Sequence, residues 1–181
     1  DVRIHGIITH GGDAPNIIPE YAKARFFIRA STRAGLNEVT QRVKAVAEGA
    51  ALATGAKLNV IAFQNEVDNL LLNSSYDAVF KEVVEELGET VVDSADKGIG
   101  STDAGNISQV VPTIHPYIKI GASDLIPHTV PFREAAASPK GDQALIPGAK
   151  AHALTALKLI TDADTLVQIK VEFKERKAKE S

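Results

Sequence analysis

The 181 residues carry 44% hydrophobic and 24% charged side chains with a formal net charge of −3, the balance of a globular protein and the wrong sign for a nucleic-acid-binding face. Cysteine is absent, which excludes disulfides and thiolate metal sites, and no apolar run approaches the ~20 residues needed to cross a bilayer. The opening "DVRIHGIITHGG" lacks the basic, apolar and small-residue regions of a signal peptide, so a cytoplasmic protein is expected.

The chain also lacks methionine, even at residue 1, and opens inside a strand pattern, which together lead us to expect a fragment. Residues 2–9 alternate as a strand, followed by the turn-rich "HGGDAPN". The stretch "IIPEYAKARFFIRAS" predicts a second strand, with Tyr21, Lys23, Arg25, Phe27 and Arg29 on one face and Ala22, Ala24, Phe26 and Ile28 on the other. Helical spacing of Leu36, Val39, Val43, Val46, Ala50 and Ala53 predicts a helix over 36–54, ended by Gly55. "AKLNVIAFQNEV" reads as a third strand. The first part, 1–67, is therefore expected to be most of a small α+β sandwich, with a helix and a partner strand missing from its front.

After a boundary near residue 67 the pattern becomes α/β. Ser74 with Asp77 resembles a capping box for a helix to about Leu87, with Tyr76, Val79, Phe80, Val83, Val84 and Leu87 inward. The polar, glycine-rich "DSADKGIGSTDAGNIS" follows, then "TIHPYIKIG" as a short strand. Two helices, over about 145–160 and 162–178, close the chain, the second with a basic last turn that suits its dipole.

Few stretches carry chemistry on their own. "GGDAPN" lacks the G-x-G-x-x-G spacing, and "GIGSTDAGN" lacks the Gly-Lys-Ser/Thr ending of a phosphate loop. The second reads equally well as a helix-capping turn or as a loop offering Ser101, Thr102 and Asp103 to a polar ligand. No serine-nucleophile elbow is present. His5 and His10 suit exposed strand positions, and His152 suits a structural place on a helix. His115 is balanced between structure and function. His128 differs: Pro127 and Pro131 stiffen the chain on both sides of it, as a ligand position would require. One histidine does not make a metal site, since a catalytic zinc takes three protein ligands.

Two separated motifs resemble one family. "HGIITHGGDAPNIIPEYAKARFFIRA" is similar to the lid, or dimerisation, domain of the aminoacylase and carboxypeptidase-G type metallopeptidases. "GSTDAGNISQVVPTIHPYIKIG" with "PHTVPFREAA" and "ALIPGAKAHALTALKLI" is similar to the C-terminal part of their catalytic domain. Within the family the likeness is nearest to amidohydrolases like the B subunit of aminobenzoyl-glutamate hydrolase and to related dipeptidases.

The resemblance implies a two-metal amide hydrolase, using zinc or manganese. In it a metal-bound water attacks an N-acyl amino acid, an aminobenzoyl-glutamate or a dipeptide. It further implies His128 as the last metal ligand, and Asn16, Arg29, Gly100, Ser101, Thr102 and His115 around the substrate. Asp103 would brace the loop rather than bind metal. The catalytic base and the other ligands have no counterpart between Asp1 and Ser181, so no catalytic residue is expected in this chain. Residues 1–67 are then a partial α+β lid of ferredoxin-like type and residues 68–181 the C-terminal part of an α/β catalytic domain, and the lid implies a homodimer. The alternatives are a non-catalytic lid-type module that dimerises through its strand edge, and an α+β sensing domain that would leave the "GSTDAG" and "PHT" segments unused.

Overall fold

The computed structural model describes residues 1–92 and 100–180. The chain is mixed α/β and divides into two compact units, Asp1–Asn69 and Leu70 onward. The predicted glycine-rich stretch begins in residues 93–99, outside the described residues.

In the first unit, strands β1 (Arg3–His10) and β2 (Lys23–Arg29) pair antiparallel. Their alternation sorts two faces. Ile4, Gly6 and Ile8 stand opposite Ile28, Phe26 and Ala24, while Arg3, His5 and Ile7 stand opposite Arg29, Phe27 and Arg25. Helix α1 (Arg33–Thr54) starts on Thr32, whose hydroxyl accepts from the Gly35 amide at 3.2 Å, and stops at Gly55 in the left-handed region (φ 69). It packs against β2. Its half-buried apolar side chains are Leu36, Val39, Val43, Ala47 and Ala51, so the inner stripe turns away from the expected Val46, Ala50 and Ala53, all exposed.

The expected third strand does not form. Among the described residues the sheet has two strands, and residues 56–67 join neither. Phe63 instead sets its ring 5.3 Å from that of Phe27, edge to face, with the Arg25 guanidinium 5.5 Å from the Phe63 ring centre. Alternating side chains describe a segment with two faces; a ladder also needs an open edge about 4.8 Å away, and this segment uses its side chains against the sheet's face instead. Its end is tied to α1: the Arg33 guanidinium pairs with Asp68 and, at 3.0 Å, with Glu66, and the Arg33 amide donates to Asn69 Oδ1 at 3.2 Å.

The second unit is helical. Helix α2 (Ser74–Glu86) is capped by Asn73, one residue before the expected cap, with Asn73 Oδ1 accepting from the Tyr76 amide at 3.0 Å. Val79, Phe80 and Val83 are buried as the spacing requires, with Tyr76, Val84 and Leu87 half-buried beside them. A five-residue helix, α3 (Ala104–Ser108), follows the glycine-rich stretch. The predicted strand over 113–121 is irregular. Pro112 and Pro116 supply no amide donors there, which suits a loop better than a ladder.

Helix α4 (Val130–Ala136), which the sequence reading missed, precedes α5 (Pro139–Thr161) and α6 (Ala163–Glu180). Helix α5 begins earlier than expected because Ser138 caps it, accepting from the Gly141 amide at 3.3 Å, with Pro139 in its first turn. The helix runs through Pro147, whose missing N–H removes the helical bond to the Gln143 carbonyl one turn earlier. The core joins Phe80 and Val83 of α2 to Ala151 of α5, with Val84, Leu87 and Ile114 against them.

Candidate functional site

Asn16 sits at the third position of a β-turn closed by the Ile17 amide donating to Ala14 O at 3.2 Å. Pro15 precedes it, the residue whose fixed φ suits the second position. Arg29 ends β2 directly opposite Arg3. Two like charges facing across a ladder repel. Both belong to the first unit.

In the second unit Gly100, Ser101 and Thr102 lead into α3. The Thr102 carbonyl accepts from the Gly105 amide at 3.0 Å and its hydroxyl accepts from the Ala104 amide at 3.3 Å. Asp103 makes no side-chain cap bond, so the bracing expected of its carboxylate falls to the Thr102 hydroxyl. The helix is anchored beneath by Ser108, fully buried, whose hydroxyl accepts from the Leu71 amide at 2.8 Å and donates to Gly105 O at 2.6 Å. Neighbouring Gln109 accepts from Lys177 Nζ at 2.7 Å and donates to Glu180 at 3.3 Å, both on α6.

His115 is exposed in the loop after α3, its ring 5.2 Å from that of Tyr117. The loop lies close on α5 at Gly148, where any Cβ would overlap the end of Ile118. His128 is exposed and is the one non-glycine residue with positive φ (64) among those described. Immediately after it Thr129 caps α4, accepting from the Phe132 amide at 3.4 Å and donating to Ile126 O at 2.6 Å. His152 has the expected structural place, with Nδ1 3.0 Å from Gly148 O and its ring 5.9 Å from that of Phe80. His5 and His10 are exposed on β1.

The floor of this unit is electrostatically set by Glu172. Its carboxylate accepts from the Ser74 and Ser75 amides at 2.9 and 2.7 Å and from Arg176 Nε at 2.8 Å. Burial alone would raise its pKa. The bonds from Ser75, Ser74 and Arg176 prevail and hold it at about 2. Burial and the nearby Glu172 charge push Asp77 upward, against Arg176.

Residues 5–54 match the peptidase dimerisation domain. The chain is 37% identical over 175 residues to the Xaa-Arg dipeptidase of Mus musculus and 38% identical over 176 to that of Homo sapiens, in each case across 95% of this chain. These likenesses support the resemblance to the aminoacylase and carboxypeptidase-G type metallopeptidases. The chain spans 40% of the length of these two relatives.

That family generally binds divalent metals. Among the described residues no group of three or more histidine and acidic side chains stands close enough to hold an ion. Nor is any described helix long and apolar enough to cross a membrane. Sequence reasoning missed Ser108 and Asn73 as buried polar anchors. For Asn73 the cap preference of asparagine was an available signal; for Ser108, whose partner Leu71 is remote in sequence, there was none.

Proposed function

We propose that the chain supplies a partial lid (1–67) and the C-terminal part of the catalytic domain (68–181) of a metal-dependent amidohydrolase or peptidase. The observation that carries this is the alignment of 95% of the chain with proteins named Xaa-Arg dipeptidase. The substrate is a dipeptide, or another N-acyl amino acid such as an aminobenzoyl-glutamate, with a free carboxylate. Arg29 and Asn16 bind that carboxylate or the developing oxyanion, a guanidinium being suited to a two-point grip. Gly100, Ser101, Thr102 and His115 line the substrate, and His128 is one metal ligand. The remaining ligands of two divalent ions, zinc or manganese, and the catalytic base belong to other parts of the protein. The first unit pairs with a second copy through an open strand edge, in a cytoplasmic enzyme.

The match of residues 5–54 to a dimerisation domain also suits the second reading, a module that associates without catalysing. Hydrolysis by the full-length protein separates the two. Arg29→Ala should lower kcat/KM on an Xaa-Arg dipeptide by roughly 10- to 100-fold, the worth of a charged hydrogen-bond pair, and much less on its C-terminal amide. Equal losses on both would assign Arg29 to the oxyanion, and no hydrolysis of either by the unaltered protein would leave the module.

A further inference from the structure

Ser108 has the burial and bonding of a residue with more to do than fill space. It is fully buried, and Leu71, whose amide it accepts, is 3% exposed. The hydroxyl's proton goes to Gly105 O, so one lone pair serves Leu71 and the O–H serves Gly105 without conflict. Gly105 also donates its own amide to Thr102 O at 3.0 Å, and its carbonyl accepts from Gln109 N at 3.2 Å. Hydrogen bonds joined through the Gly105 backbone therefore connect Leu71 and Ser108 to the carbonyl of Thr102.

The lower end of that chain is itself held. Asn73, two residues after Leu71 and 1% exposed, caps α2 with Oδ1 and donates Nδ2 to Ile169 O at 2.9 Å. The strap 71–73 is thus tied to two long helices, α2 and α6. Helix α3, with five residues, has too few internal bonds to hold its own orientation.

We propose that Ser108 is a positioning residue for substrate binding: it transmits the rigid floor at residues 71–73 to the loop Gly100–Thr102, and so sets where that loop meets the substrate's carboxylate end. This rests on the reading above that Gly100–Thr102 lines the substrate. Without the hydroxyl, the Leu71 amide is left buried and unpaired and the Gly105 carbonyl loses one partner. The loop then binds substrate less well while the groups that break the bond are untouched.

The test compares Ser108→Ala and Thr102→Val in the full-length protein, with an Xaa-Arg dipeptide and its C-terminal amide as probes. Ser108→Ala should raise KM for the dipeptide about tenfold, the scale of one lost buried hydrogen bond, with kcat nearly unchanged and KM for the amide little moved. Ser108→Cys, close in size with a weaker donor, should give the same selective change at smaller amplitude, and it serves if the alanine variant does not fold. Thr102→Val selective with both Ser108 variants unselective would overturn the positioning role and leave the loop assignment standing. If Thr102→Val is also unselective, the loop assignment fails and the proposal with it.

Discussion

His128 stands with φ at 64, where a side chain costs roughly 1–2 kcal/mol relative to glycine. Histidine is among the residues that tolerate this region better than most, yet a glycine would hold the turn with less strain, and such strain tends to collect at functional positions. Comparing two variants that both lose the imidazole isolates the backbone term. His128→Gly should be more stable than His128→Ala by about 1 kcal/mol, after allowing for glycine's larger unfolded entropy, as read from denaturant midpoints. Equal midpoints would show that the turn relaxes when the ring is removed. The proline-flanked histidine was legible in the sequence because its neighbours restrict the backbone; its sign of φ was not, since prolines at 127 and 131 fix their own φ and not that of residue 128.

At the scale of elements, helices were more readable than strands. The apolar spacing and Gly55 located α1, and the stripe from Val79 to Val83 located α2, because helical hydrogen bonds are local and the periodicity reports them directly. The segments 56–67 and 113–121 carried strand-like side chains without ladders, since pairing depends on an edge that local sequence does not describe. Helix α4 and the early start of α5 were missed although Pro131 and Pro139 stand in first turns, where proline is favourable.

The α2–α6 contact at Glu172 makes a pH prediction. With a folded pKa of about 2 against an ordinary 4.5, Glu172 contributes stability that is fully present above pH 4.5 and is lost as pH falls toward 2. Asp77, raised from 3.8, acts oppositely: its contribution is present below its unfolded value and lost as pH rises through the folded one. Glu172→Gln should therefore flatten the fall in stability between about pH 4.5 and 2, measured by denaturant unfolding at several pH values. An unchanged acid slope would show that the carboxylate's bonds to Ser74, Ser75 and Arg176 do not contribute to stability.

At the scale of the whole molecule, each unit leaves apolar side chains in the open. In the first, Ile8 is 77% and Leu52 87% exposed; in the second, Tyr117 is 86% and Ile160 80% exposed. The chain spans 40% of its relatives' length. The family was legible because its motifs are short and local. The proposed site residues were read one at a time from the sequence: Asn16 and Arg29 lie in one unit, Thr102, His115 and His128 in the other, and the described residues bring no metal-binding cluster together.

The most direct test of the central reading is the metal content of the full-length protein, by elemental analysis, with and without His128→Ala. The account predicts two equivalents of a divalent metal per chain in the unaltered protein, a loss approaching one equivalent in the variant, and a fall in dipeptide hydrolysis of at least about 100-fold, as for loss of a group that orients the reacting centre. Unchanged metal content with unchanged turnover would remove His128 from the site and contradict the account.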